Sequence, residues 1–416
     1  MSGTAWTATA RSTGWFPVAP AGRVGTTPVP VGAGGRAWVV VRLRPGGEVS
    51  AFPARCPHRL VPLAAATVVD GRLQCPYHGW RFDPEGRCVD LPSLGPDGTA
   101  PPRADLAVPW AVEERHGWVW LAPERTPVAV PPAPSSRPVP EPVPAPLPPS
   151  GPVLGNLDPA LEHAWHPVAL TRELRPGGWL QVRLLGRTWT LHRGDGGLSA
   201  DPPAWGVRER LGVVWLAPAQ PRDVALEVPE DGNRRFVRRW LPSVRAAGPA
   251  GPLADLLLDA AHAPFVHPAA GDDAGEVPAA DVTLEPGGFT AARRLPGGRR
   301  ATAVVRVPFQ LRLRVDDPGP GAATPRLVLL QPEDADSTRV HTCLFLAAPP
   351  GRPLPAPGDV AAEAAREEQV LAEDLALAAE LAGAGLPLAL RDELHVPADR
   401  PGVALRRALA DFTAAR

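Results

Sequence analysis

The apolar positions between residues 15 and 126 come in short runs separated by turn residues, which reads as a succession of short strands. Trp38-Val39-Val40-Val41 is one such strand, and Arg44-Pro45-Gly46-Gly47 is the turn after it. Trp118-Val119-Trp120-Leu121 closes the segment as another. From Pro127 to Pro152 proline falls at almost every second or third position. That stretch predicts an extended polyproline linker that cannot make a packed core. Beyond about residue 222 the pattern changes. Leu253 to His267 has the apolar spacing of a helix. Thr302 to Val307, Phe309 to Val315, Arg326 to Gln331 and Val340 to Ala347 read as strands, and Val360 to Leu381 as a long Ala- and Glu-rich helix. A helix, then strands, then a long helix predict an α+β domain.

After the linker the chain partly repeats itself. Trp15-Phe16-Pro17-Val18-Ala19 returns as Trp165-His166-Pro167-Val168-Ala169, an offset of 150. Trp110 to Pro123 returns as Trp205 to Pro218, gapless over fourteen residues, at an offset of 95. The second copy therefore lacks about 55 residues from its middle. Those are the residues that hold Cys56, His58, Cys75 and His78 in the first copy.

Composition narrows the field. A chain of 416 residues is long enough for two or three domains. The net charge of −1 gives no reason to expect a nucleic acid or an anionic membrane as partner. Met1 to Gly14 is polar and small, without the apolar core of a signal peptide, and no apolar run reaches bilayer length. The expectation is a soluble cytoplasmic protein. Lys and Ile are absent, which reads as GC-rich coding. The four cysteines, Cys56, Cys75, Cys88 and Cys343, are too few to staple a chain of this size, so metal binding is the better question to ask of them. Cys88 and Cys343 have no partner pattern and read as buried, inert thiols.

Cys56-Pro57-His58 and Cys75-Pro76-Tyr77-His78 form C-x-H-x16-C-x2-H. Two thiolates and two imidazoles suit a [2Fe–2S] cluster, the thiolates on one iron and the imidazoles on the other. A structural zinc finger pairs C-x2-C with H-x3-5-H instead. Cys75-Pro76-Tyr77-His78-Gly79-Trp80, followed by Phe82-Asp83, resembles the Rieske domain of ring-hydroxylating and demethylating oxygenases. It does not resemble the respiratory Rieske protein, because Arg59, Leu60 and Tyr77 stand where an extra disulfide would need cysteine. The resemblance implies a low-potential cluster on Cys56, His58, Cys75 and His78. Leu60 and Ala66 replace glycines of the family pattern, so a positive φ demanded at either position would strain the loop.

Asp259-Ala260-Ala261-His262-Ala263-Pro264-Phe265-Val266-His267 holds a second constellation. His262 and His267 are five apart and do not quite share a helical face. Pro264 is expected to break the helix and let both imidazoles converge. Two His and one carboxylate leave coordination positions on an iron open for O2 and water. Asp374 on the long helix is the candidate third ligand, with Glu373 beside it as the alternative. The spacing matches the D-x2-H-x4-H of the Rieske oxygenase catalytic domain. The tail, from Leu386-Pro387-Leu388 to Arg406-Arg407, resembles the vanillate demethylase-like monooxygenases. By that resemblance Asp259 links the two metals. Leu256 stands where the family often has Asn.

The resemblance implies an all-β Rieske domain over residues 1–126 and the proline-rich linker over 127–152. A β-rich, cluster-free Rieske-like repeat follows over 153–221, and an α+β helix-grip-like catalytic domain over 222–416. It further implies a [2Fe–2S] cluster, a mononuclear Fe(II) and a reductase (a ferredoxin, an NAD(P)H-dependent flavin reductase, or both). The assembly implied is a homotrimer in which the cluster of one subunit faces the iron of the next. The expected chemistry is hydroxylation or O- or N-demethylation of a small, largely apolar substrate with O2. A non-catalytic electron carrier or binding protein is the alternative. The repeat is expected to act as a scaffold or interface module. Leu257, Phe265, Val307, Phe309, Leu327 and Leu329 serve equally as pocket wall or core.

Overall fold

The computed structural model describes residues 13–415 apart from 271–273, 296–297, 317–323, 349–350, 382 and 384. The chain divides into two compact units, Met1–Pro148 with His262–Glu276, and Pro149–Ala261 with Val277–Arg416.

The first unit has a framework of two antiparallel three-stranded sheets. One joins Phe16–Pro20, Trp118–Ala122 and Ala111–Arg115; the other joins Val29–Ala33, Arg36–Arg42 and Val49–Pro53. Val31, Trp38, Val40, Val119 and Leu121 fill the space they enclose, so the alternating apolar runs of the sequence face inward. A smaller four-stranded sheet, Thr67–Val69, Arg72–Gln74, Arg81–Phe82 and Cys88–Asp90, carries the loops with the paired Cys and His. Its first hairpin turns on Asp70-Gly71, both at positive φ, the geometry that suits a two-residue turn. No helix or strand is assigned between Ala122 and Val153, where proline removes the donors a ladder needs.

The second unit opens with another framework of the same plan. His166–Leu170 pairs with Val213–Ala217, which pairs with Gly206–Arg210; Trp179–Leu184, Arg187–Gly194 and Gly197–Asp201 form the second sheet. The registers coincide. Phe16↔Leu121, Pro17↔Trp120, Ala19↔Val119 and Pro20↔Trp118 correspond to His166↔Leu216, Pro167↔Trp215, Ala169↔Val214 and Leu170↔Val213, each with an irregularity at the same step. The indole N–H of Trp120 donates to Arg115 O, and that of Trp215 to Arg210 O. The Trp38 indole donates to Ala33 O and the Trp189 indole to Leu184 O. His116-Gly117 and Leu211-Gly212 turn the matching hairpins with positive φ.

This second framework is bonded into a larger antiparallel sheet. The order there is Phe236–Trp240, Ser337–Ala347, Arg326–Asp334, Gln310–Asp316, Arg300–Arg306, Gly288–Arg294, Asp281–Glu285, and Val244–Ala247 also pairs with Ser337–Ala347. The N–H groups of Leu185 and Gly186 donate to Pro332 O and Glu333 O at 2.9 and 2.8 Å. Trp165, Val213 and Trp215 share a core with Leu327, Leu329 and Phe345. In the helix Pro357–Leu381 the buried positions Ala364, Glu367, Leu371, Asp374 and Ala378 step by three and four, one stripe on one face. Ala364 packs on Leu241, Leu344 and Leu346. No helix among the described residues is long and apolar enough to cross a membrane.

The strands and long helix expected from the sequence are present with ends shifted by a few residues. The expected helix over Leu253–His267 is two pieces, Ala250–Leu258 and Ala263–Val266. The break comes earlier than Pro264. Asp259 leaves the helical region, and its carboxylate accepts the Ala261 N–H at 2.7 Å, a local turn that competes with the helix. Pro264 then lies in the first turn of the short helix, where its missing N–H costs nothing.

Candidate metal centres

The two Cys–His loops are built alike. The Cys56 N–H donates to Val61 O and the Cys75 N–H to Trp80 O, at 3.0 and 2.9 Å, closing each loop into a tight tip. Cys56, His58, Cys75 and His78 are all buried. The His58 and His78 rings lie 4.3 Å apart, centroid to centroid. His58 stacks on Trp80 at 4.6 Å, and Tyr77 on His78 at 3.9 Å. The sequence reading did not single out either aromatic as a support for the ligands. Their position beside the ligands in C-P-Y-H-G-W was the available signal.

The two thiols hydrogen-bond to each other. Burial pushes Cys56 well up, and its neighbour Cys75 adds to this. Burial also pushes Cys75 up, but the Cys56 thiol, the Tyr77 and His78 backbone and the His78 charge outweigh it and bring it down to about 7. A buried thiolate is therefore within reach at neutral pH before any metal adds its charge. Two neighbouring thiols and two neighbouring imidazoles, all shielded from water, fit a [2Fe–2S] cluster. The Trp80 indole N–H is buried with no hydrogen-bond partner among the described residues. Cys88 and Cys343 differ. Burial pushes both up to about 12, as expected of inert thiols.

Leu60 has φ 54, in the left-handed region, whereas Ala66 has φ −67. Only the first of the two missing glycines therefore leaves strain behind.

His262 and His267 flank the short helix Ala263–Val266. The His267 N–H donates to Ala263 O at 2.8 Å, so one tight turn brings the five-residue spacing together. Their Nε2 atoms lie 3.3 Å apart. His262, His267 and Asp374 are all buried, and their ligand atoms lie within 4.8 Å of one another, a group that could hold a metal ion. Glu373 is only half-buried and accepts a hydrogen bond from Gln369. Imidazole, imidazole and carboxylate fit a non-haem iron that keeps open positions. Asp259 is half-buried, its carboxylate fixed by the Ala261 N–H.

A β-rich domain with two Cys–His loop tips, followed by a sheet and long helix with a two-His-one-carboxylate group, defines the Rieske non-haem iron class. Comparison with known proteins agrees. Residues 14–109 match the Rieske [2Fe-2S] domain, and residues 295–415 match the vanillate O-demethylase oxygenase C-terminal domain. The chain belongs to the Rieske oxygenases that carry this C-terminal domain. These domains imply a [2Fe–2S] cluster and a mononuclear iron as cofactors.

Protein TIC 55 of Arabidopsis thaliana is 40% identical over 83 residues, 20% of this chain and 15% of that protein. Methylxanthine N1-demethylase NdmA of Pseudomonas putida is 41% identical over 83 residues, 20% and 22% of the two chains. The dicamba O-demethylase oxygenase component of Stenotrophomonas maltophilia is 41% identical over 91 residues, 22% and 26%. The matched segments thus span between 15% and 26% of the length of these relatives. Among solved structures, Pseudomonas putida CBB5 NdmA with caffeine aligns over 96% of this chain and 90% of its own, at 17% identity and a TM-score of 0.42.

Proposed function

We propose that the chain is an oxygenase component that uses O2 and electrons from a reductase, directly or through a ferredoxin, to hydroxylate or demethylate a small, largely apolar substrate. The observation that carries this reading is the buried group of His262, His267 and Asp374, which an electron carrier does not need. Cys56, Cys75, His58 and His78 would hold the cluster, and His262, His267 and Asp374 the iron. When bound, these groups supply electron delivery and O2 activation, chemistry no side chain can perform. The chain's own residues do the rest. Burial of all seven keeps water from competing for the site. Asp374, rather than the half-buried Glu373, sits on the inward stripe of its helix and supplies the negative ligand. Asp259 takes the linking role that the resemblance implies, and its fixed carboxylate supports this.

Hydroxylation of a methyl carbon on O or N would give a hemiacetal or hemiaminal that releases formaldehyde. Four free cysteines suit a reducing compartment, in keeping with a cytoplasmic protein, and a homotrimer is carried over from the resemblance. The test is iron and acid-labile sulfide per chain on anaerobically purified protein, with an EPR spectrum after dithionite. About three irons, two sulfides and a reduced-Rieske signal are expected. About two irons after ferrous loading would make the protein an electron carrier instead.

A further inference from the structure

We propose that Arg293 anchors the substrate by a carboxylate, so that the molecule taken up is a small apolar body ending in one negative charge. This rests on the oxygenase reading above and narrows the substrate class of that site. The large sheet has two faces. Leu327, Leu329, Cys343 and Phe345 turn one of them toward the second framework, and Val304 packs against them. Side chains alternate along a strand, and directly paired residues share a face. The pairs Ala291↔Ala303 and Arg293↔Ala301 therefore stand on the opposite face, and Ala303↔Leu313 extends the row. The helix Pro357–Leu381, which carries Asp374, packs on that same face, where Ala364 meets Leu344 and Leu346. Arg293 and the iron ligand Asp374 thus belong to one side of one sheet.

Arg293 is only 6% exposed. Its Nη1 has no hydrogen-bond partner among the described residues, and its Nη2 reaches Ala398 O at 3.5 Å, the outer limit of a hydrogen bond. Arg406, equally enclosed, is instead paired with Asp255 and Glu393. Burial lowers the Arg293 pKa, and the charges of Asp259 and Asp399 work against this. Those two carboxylates are engaged elsewhere: Asp259 accepts the Ala261 N–H at 2.7 Å, and Asp399 accepts the Val396 N–H at 2.6 Å. A guanidinium stays ionised, and enclosing one unpaired is costly. An anion from outside the chain supplies what is missing, and the two-pronged end of the guanidinium matches the two oxygens of a carboxylate. Beside the anchor the side chains of Ala291, Ala301 and Ala303 are small. Ala301, Ala303 and Leu313 are only half-buried, which leaves a seat for the apolar body.

The test uses the full, metal-loaded protein and two probes of one shape, benzoate and its neutral counterpart benzamide, with binding read by calorimetry. Wild type should bind benzoate at least about tenfold more tightly than benzamide. Arg293→Gln should lose that preference by weakening benzoate alone, an effect that a purely structural role would not produce. Arg293→Lys should keep part of it, because the charge remains without the fork. Equal affinity of the wild type for the two probes, binding of neither, or an intact preference in Arg293→Gln would overturn the proposal. If Arg293→Gln does not fold, Arg293→Lys decides, and undiminished benzoate affinity there overturns the two-pronged anchor. Iron analysis of the same samples separates this inference from the reading it rests on. About three irons per chain without a benzoate preference overturns the anchor alone, whereas a chain that takes up no mononuclear iron overturns the oxygenase reading.

Discussion

Leu60 and Gly79 occupy the same place in two equivalent turns: the N–H of each donates to the carbonyl of the ligand cysteine four residues earlier, at 3.0 Å to Cys56 and 3.1 Å to Cys75. Both are left-handed, with φ 54 and 68. Glycine adopts that conformation without a steric cost, whereas leucine pays about 1 kcal/mol for it. Leu60→Gly is therefore expected to stabilise the Rieske domain by a few tenths of a kcal/mol, about 1 kcal/mol of strain relieved less the added freedom of the unfolded chain. Gly79→Ala should do the reverse, because its methyl would meet the Phe265 ring. Denaturant unfolding followed through the cluster's visible absorbance reads both. A less stable Leu60→Gly would mean that the leucine side chain contributes packing that outweighs its backbone strain.

The third iron ligand gives a sharper contrast between adjacent residues. Asp374→Ala removes the buried carboxylate of the metal group, and Glu373→Gln changes a half-buried side chain that bonds Gln369. Asp374→Ala should keep the reduced-Rieske signal and the two sulfides but lose the mononuclear iron, with turnover down by orders of magnitude. Glu373→Gln should keep the full iron content. Metal analysis of the two variants decides between them, and iron loss in Glu373→Gln alone would reverse the assignment.

The legibility of these features varied with how local their causes are. The Cys and His of the cluster loops lie in two short motifs, so type and spacing declared them. The long helix was readable because its buried positions step by three and four. The break at Asp259 was misplaced because proline is the loudest helix breaker in the segment. A side chain that bonds the N–H two residues on acts before the proline is reached. The left-handed state of Leu60 was suspected from a missing glycine, but only the backbone shows that Ala66 needs no such conformation. The stacking of Trp80 on His58 depends on how two loops meet, which no single window of sequence contains.

His166 makes the protein acid-sensitive at a position where the first framework has Phe16. The residue is fully enclosed, and its Nε2–H donates to Leu161 O at 2.7 Å. Burial lowers its pKa to about 4, only partly offset by that hydrogen bond. A lowered pKa means that the unfolded chain binds the proton first. The stabilisation is complete above about pH 6.5 and is lost as the pH falls through 4, a change of about 3 kcal/mol in all. His166→Phe copies the residue at the matching register of the first framework and removes the titrating group. Its unfolding free energy should fall less between pH 7 and pH 5 than that of the wild type. Equal slopes would show that other groups set the acid limb.

Arg406 connects the C-terminal helix Arg400–Ala414 to the helix that leads into the iron histidines. It is almost fully buried and pairs with both oxygens of Asp255, at 2.7 and 2.9 Å, and with Glu393 at 2.6 Å. Asp255 lies one helical turn before Asp259, so the pair holds the end of Ala250–Leu258 where the chain turns toward His262. Arg406→Leu leaves two buried carboxylates without this cation and should cost about 3–5 kcal/mol, the penalty of breaking a buried pair. Arg406→Lys keeps the charge but cannot reproduce the two-pronged geometry, so it should fall between wild type and Arg406→Leu. The loss should also be selective. Bound mononuclear iron should decline in the order wild type, Lys, Leu, while the Rieske EPR signal per chain stays constant, because Asp255, Glu393 and Gly402, which Arg406 bonds, lie on the helix before His262 and on the C-terminal tail and not on the cluster loops. Loss of both signals in parallel would mean that Arg406 supports the whole fold and has no particular hold on the histidine turn.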